Sequence, residues 1–171
     1  FIRAIKEALP PEFLVIAEDL GFLTEDVRDL LEESGFPGMK VIQFAFDSRE
    51  PSDYLPHRFP PNCVAYPRTH DNDTLLGWER ALSPEALAYA RDYLGVPEGE
   101  SLREAVLRAC LASAADTAVI PMQDWLALGS EARINTPSTL GGNWRWRLLP
   151  GMLTPELSKK MLRLAKLCGR A

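Results

Sequence analysis

The chain has 171 residues, enough to bury a substantial core as one domain or as part of a larger one. Its 46% hydrophobic and 25% charged content is that of an ordinary globular protein. The 19 basic residues against 24 acidic ones, a net charge of −5 with no basic block, argue against nucleic acid or an acidic membrane surface as partner.

No apolar run approaches the roughly 20 residues of a membrane span. The start "FIRAIKEALPPEF" has neither the long apolar stretch nor the small-residue cleavage site of a signal peptide, so a cytoplasmic location is expected. Cys63, Cys110 and Cys168 are odd in number and far apart, which predicts buried reduced thiols and not disulfides or a metal site. The chain opens on Phe1, and Ile2, Ile5 and Leu9 already lie on one helical face before Pro10-Pro11 ends it. A start inside a helix predicts a fragment of a longer polypeptide.

Leu14-Val15-Ile16-Ala17 is a short, continuous, branched run, the pattern of a strand covered on both faces, and it ends on Glu18 and Asp19. Thr24 as N-cap, a stripe of Val27, Leu30 and Leu31, and Gly35 as stop predict a helix. Met39 to Phe46 reads as a second strand with Asp47 at its end. Asp47 to Asn62 carries four prolines and no period, and a loop of that length inside a compact domain is usually functional or disordered.

Cys63 to Tyr66 is a third strand, running into "PRTHDNDT". Ser83-Pro84 opens a helix that Gly95 closes, and Ser101 to Glu104 has capping-box spacing at the head of another. Thr117 to Pro121 is a fourth strand, followed by "MQDW"; "NTPSTLGGNWRWR" is a loop; a last helix runs from Thr154-Pro155 to Cys168. There is no glycine-rich phosphate loop and no internal repeat.

This βα alternation predicts a parallel sheet, and four such strands are half of an eight-stranded barrel. If the strands are parallel neighbours, Glu18 and Asp19, Asp47, then His70, Asp71, Asn72 and Asp73, then Gln123 and Asp124 gather on one rim. Two carboxyl groups across a cleft, one protonated and one ionised, are the working parts of glycosidic bond cleavage, and Glu18 and Asp71 sit on different strand ends. The four Trp and four Tyr residues offer platforms for sugar rings. A structural role competes with each assignment: strand-end acids cap helices, Trp144 and Trp146 pack, and His70 serves equally as a satisfied strand-end histidine. A metal site at His70, Asp71 and Asp73 is disfavoured because the only other histidine, His57, lies in the long loop.

The blocks "VIAEDLG" (15–21), "GFPGMKVIQFAFD" (35–47), "YLPHRFPPNCVAY" (54–66), "THDNDT" (69–74) and "IPMQDWLALGSEARINTPSTLGGNWRWR" (120–147) resemble, in order, the C-terminal part of the 4-α-glucanotransferases. These amylomaltases, or disproportionating enzymes, belong to the α-amylase clan of glycoside hydrolases. The resemblance implies that residues 1–171 are the C-terminal half, about strands five to eight, of a (β/α)₈ TIM barrel. It implies retaining transfer of α-1,4-glucan segments between maltooligosaccharides, with no cofactor and no metal.

It further implies that Glu18 is the general acid/base, that Asp71 steadies the oxocarbenium-like sugar, and that His70 holds hydroxyls of that sugar. Asn72 belongs to the same sugar-binding block, and Asn135 and Pro137 match a substrate-facing turn after the eighth strand. The family's nucleophilic Asp lies in an Arg-x-Asp-His block that these 171 residues lack, so the isolated chain is expected to be inactive and to need its missing N-terminal half.

Where the family usually has Tyr-Thr-Gly before this block, the chain has Tyr66-Pro67-Arg68, placing a long cation near the sugar site to pair with an acid or alter an acceptor subsite. Two other readings stand beside this one: a hydrolase of the same clan, using water as acceptor, and a non-catalytic glucan-binding half-barrel module.

Overall fold

The computed structural model describes residues 1–10, 13–21, 23–46 and 52–171. Its order is α1 (Ile2–Ala8), α2 (Glu25–Ser34), β1 (Gly38–Val41), β2 (Cys63–Tyr66), α3 (Leu75–Ala81), α4 (Pro84–Leu94), α5 (Leu102–Ala112), β3 (Thr117–Ala118), α6 (Met122–Trp125) and α7 (Pro155–Leu167). The three strands form one parallel sheet in the order β1-β2-β3, with Met39 opposite Val64 and Val64 opposite Thr117. The alternation of strands and helices is therefore that of an α/β fold.

The strand periods are shorter than the sequence predicts. The expected strand at Leu14–Ala17 is extended chain beside β1, held by a backbone bond from Ala17 N–H to the Pro37 carbonyl at 2.9 Å. It is not covered on both faces: Leu14 is 90% and Ile16 45% exposed, and no strand among the described residues pairs with its outer edge. The expected strand over Met39–Phe46 stops at Val41, and Ile42–Phe46 winds into a 3₁₀ turn that buries Ile42, Ala45 and Phe46 while turning Phe44 outward. The expected strand at Thr117–Pro121 keeps two paired residues. Asp47 lies outside the described residues, as does Pro11 at the end of α1.

The helices follow their signals more closely. Gly35 closes α2 and Gly95 closes α4, and Ser83 and Thr154 cap α4 and α7 through their hydroxyls. The expected capping box at α5 is built differently. Ser101 Oγ accepts from Arg103 N–H, while the Leu102 N–H donates to Glu79 of α3 at 3.0 Å. Glu104 turns outward to Arg103 and Lys160. A cap from another helix serves the same need of orphan N–H groups, and it fixes the angle between α3 and α5 as well.

α5 is the centre of the core. Its Leu102, Val106, Leu107 and Cys110 are fully buried and share one cluster with Ile42, Ala65, Leu75 and Ala90. Arg170 closes the far end of α5 by donating to the carbonyls of Leu111, Ser113 and Ala115 at 2.6 to 3.0 Å. The helices thus pack on the side of the sheet bearing Ile42, Cys63 and Ala65. The opposite side carries Met39, Tyr66 and Val119, the last 42% exposed.

Candidate active site

The C-terminal ends of the strands converge, as the parallel register requires, and the loop after β2 carries the densest cluster of polar side chains. Thr69 opens it: its N–H and its hydroxyl both reach Asn72 Oδ1, at 2.9 and 2.8 Å, closing a tight turn over His70 and Asp71. That turn is then clamped from the segment after α6. Asn135 N–H donates to the His70 carbonyl at 3.1 Å, and Asn135 Nδ2 donates to Asp71 Oδ1 at 2.7 Å. His70 Nε2 stands 3.2 Å from the same Asp71 oxygen. Asp71 Oδ1 is thus occupied, and Oδ2 has no hydrogen-bond partner among the described residues.

Glu18 and Asp71 line one cleft of about 430 Å³, together with Leu20, Met39, Phe44, Tyr54, His70 and Asn72. Sequence spacing left their meeting open; the sheet brings them to the same opening. Glu18 is exposed and has no hydrogen-bond partner among the described residues. Asp19 is different. It is buried, and its Oδ1 accepts from Met39 N–H at 2.6 Å, so it fastens this segment to β1. The fit is close enough that a Cβ on Gly38 would stand 2.7 Å from Asp19 Oδ2, which is why the strand begins on glycine.

A second cavity of about 530 Å³ adjoins the first and shares Met39, Thr69 and His70 with it. Tyr66, Gln123, Trp144, Trp146 and Arg147 form its walls. Trp144 adopts a left-handed φ of 61° and donates its N–H to Ile134 at 2.7 Å, and its ring lies 5.0 Å from that of His70. His70 thus stands between the two openings with an aromatic ring on one side.

The remaining expected site residues divide. Asn72 lines the first cleft, but its carbonyl oxygen is used within the turn and only its amide group is left for the opening. Asn135 reaches the site through Asp71. Pro137 is exposed and lines neither cavity. Asp124 does not stand on the open rim as its strand-end position predicts. It is fully buried, with Oδ2 on Arg68 Nε at 2.7 Å and Oδ1 accepting from Leu75 N–H at 2.8 Å. Burial pushes its pKa up and the Arg68 cation pulls it back.

Arg68 itself is fully buried, points to Asp124 and the Thr69 carbonyl, and does not reach into the cleft as a free cation. Asp73 spends both oxygens inside the protein, on Thr74 N–H and on the Ser130 hydroxyl, each at 2.7 Å. Among the described residues no group of three or more His, Cys, Asp or Glu is placed to hold a metal ion.

Two contributors to the site escape the sequence pattern. Phe44 is a strand residue by periodicity; the 3₁₀ turn presents it, 39% exposed, to the cleft edge-on to Tyr54 at 5.3 Å. The polar Gln43 within that apolar run is the signal, for its amide leaves the strand pattern to reach the Asp73 carbonyl at 2.9 Å. Arg133 is the other. It sits in no strand or helix, yet it donates to the Asp71 and Asn135 carbonyls at 2.6 and 2.9 Å.

The family model described as 4-alpha-glucanotransferase matches residues 1–154. A 4-alpha-glucanotransferase of Clostridium butyricum is 48% identical over 169 residues, covering 98% of this chain and 34% of that protein. That of Thermus thermophilus is 46% identical over 166 residues, covering 93% of this chain and 33% of the relative. The chloroplastic/amyloplastic DPE1 of Arabidopsis thaliana is 48% identical over 134 residues, with 78% and 23% covered. Among solved structures, the amylomaltase of Streptococcus agalactiae in complex with acarbose superposes with a TM-score of 0.92 at 37% identity, covering 99% of this chain and 34% of that one. The amylomaltase of Corynebacterium glutamicum, at 21% identity and a TM-score of 0.63, shares the fold. The chain spans about a quarter to a third of the length of these relatives, and it belongs to the 4-alpha-glucanotransferase family.

Proposed function

We propose that this chain is the C-terminal half, about strands five to eight, of a (β/α)₈ barrel that transfers α-1,4-glucan segments by a retaining double displacement. The observation that carries the reading is the meeting of Glu18 and Asp71 in one cleft, with His70 between that cleft and an aromatic-walled neighbour. Glu18 gives its proton to the glycosidic oxygen as the C1–O bond breaks, and later takes the proton of the acceptor's 4-hydroxyl. Asp71, held by Asn135, stabilises the positive charge that develops on the sugar ring. His70 and Asn72 face the sugar hydroxyls, and Asn135 acts through its hold on Asp71.

The covalent partner of the sugar is a carboxylate that a strand outside residues 1–171 supplies. The half-exposed sheet side of Met39 and Tyr66, together with the edge at Leu14–Ala17 that no strand among the described residues pairs, supports an N-terminal half as the partner that covers them.

The test is to incubate this chain with maltotriose, alone and joined to the N-terminal half, and to look for glucose together with longer maltooligosaccharides. Both products from the joined protein, and none from the chain alone, are expected. Glucose and maltose without longer chains would make the enzyme a hydrolase. Full transfer by the 171-residue chain alone would sink the division of carboxylates proposed here.

A further inference from the structure

Three hydrogen bonds zip the 133–135 segment to the turn bearing Asp71, and one of them shares its donor side chain with a fourth bond that lies within the segment. Arg133 Nη2 donates to the Asp71 carbonyl at 2.6 Å and Arg133 Nε donates to the Asn135 carbonyl at 2.9 Å. The other two are Asn135 N–H to the His70 carbonyl and Asn135 Nδ2 to Asp71 Oδ1. The guanidinium therefore bridges the backbone of the residue that offers the carboxylate and the backbone of the residue that holds it.

Taking Asp71 as the stabilising carboxylate proposed above, we infer that Arg133 is a positioning residue, which sets the Asn135 amide on Asp71 Oδ1 and leaves Oδ2 directed by that grip. Three features support a positioning role over general support of the fold. Both donors reach backbone carbonyls, so the contact sets main-chain separation and not merely a side-chain rotamer. A planar fork with two parallel donors fixes two acceptors at once, which a lysine ammonium on a flexible stem does not do. The segment is also anchored independently of Arg133, by Ser130 Oγ to Asp73 and by Gln123 Nε2 to the Ala132 carbonyl at 3.4 Å. Loss of the fork should loosen the register at Asp71 without releasing the loop.

The experiment uses the full-length enzyme carrying Arg133→Ala, Arg133→Lys or Asp71→Asn, with transfer kinetics on maltotriose and melting temperature measured for each. A misplacement on the order of 1 Å in a group acting only in the transition state lowers kcat by about 10²-fold with little change in KM. Arg133→Ala is expected to show that loss at a melting temperature close to the parent's, Arg133→Lys a loss of about tenfold, and added guanidinium ion is expected to restore part of the rate to Arg133→Ala but none to Asp71→Asn.

A folded Arg133→Ala enzyme with parental kcat, or a loss that guanidinium leaves untouched, would overturn the inference. Should Arg133→Ala fail to fold, Arg133→Lys decides: reduced kcat at parental melting temperature supports positioning, and parental kcat refutes it. If Asp71→Asn keeps the parental rate, it is the assignment of Asp71 that fails.

Discussion

Arg68 Nε lies 2.7 Å from Asp124 Oδ2 with both side chains fully buried, and the pair joins the end of β2 to the starts of α3 and α6. One donor, Nη2, is buried without a hydrogen-bond partner among the described residues. Removing one member of such a pair leaves an uncompensated charge, which costs about 3–5 kcal/mol, whereas removing both charges together costs far less. Arg68→Met is therefore expected to lower the urea midpoint sharply. Arg68→Met with Asp124→Asn, which keeps an oxygen for Leu75 N–H, is expected to recover most of the loss.

The pH dependence of the same pair has a definite sign. Burial raises the Asp124 pKa above its ordinary 3.8, so the folded state holds the proton more tightly than the unfolded chain. The stability linked to that proton is present below the unfolded pKa and is lost as pH rises through the folded one. Without Arg68 the folded pKa rises further. The gap in urea midpoint between Arg68→Met and the parent should widen between pH 4 and 7, and a gap that narrows would contradict the buried pairing.

Gly77 lies inside α3, where replacement by alanine ordinarily gains up to about 1 kcal/mol. Here a Cβ would overlap the Ser130 hydroxyl and the Asp73 carboxylate. Gly77→Ala is expected to destabilise by about 1–3 kcal/mol, as overpacking does, and to break the Asp73–Ser130 bond. Denaturant unfolding checks the sign: any stabilisation would mean that this contact yields at no expense.

Two thiols provide a probe of the core. Burial pushes Cys63 up to about 11 and Cys110 up to about 12, from an ordinary 9.0. In the unfolded chain both ionise near pH 9, so the stability tied to their protons is complete below that pH and lost as pH climbs through 11 and 12, at about 1.4 kcal/mol per pH unit for each thiol. Denaturant midpoints should fall from pH 9 upward and fall less steeply in Cys63→Ala, Cys110→Ala. At pH 8 a thiol reagent should label the half-buried Cys168 first and the other two only on unfolding.

With Glu18 as the proposed acid/base, Glu18→Gln in the full-length enzyme is expected to lose transfer by about 10²-fold or more, because the amide keeps the shape but cannot exchange the proton. Asp19→Asn should lose less, since an amide oxygen can still accept from Met39 N–H. Initial rates of glucose release compare the two, and an equal loss would reverse their roles.

Helices α2, α4 and α7 are legible in the sequence because each carries both ends, a Ser or Thr before it and a Gly or helix stop after it. α3 escapes because its cap, Thr74, belongs to the polar "THDNDT" block, where every residue looks like loop. The strands are over-read for a different reason. An apolar run reports burial, and Ile42, Ala45 and Phe46 are buried in a 3₁₀ turn as fully as they would be in a sheet. The edge run at Leu14–Ala17 is the converse case, apolar yet uncovered. Within the site, the "THDN" turn and Glu18 are readable because strand-end acids are. Arg133 is not, since its part depends on two carbonyls brought near it by the fold.

The two carboxylates of the cleft are fastened with unequal strength. Asp71 sits in a turn held at its carboxylate, its carbonyl and both flanking residues. Glu18 rides on extended chain held to β1, among the described residues, by one backbone bond and the Asp19 side chain. On warming, Glu18 would therefore come adrift while Asp71 stayed in place, and catalysis by the proposed pair would fade at temperatures where the sheet and its helices still stand.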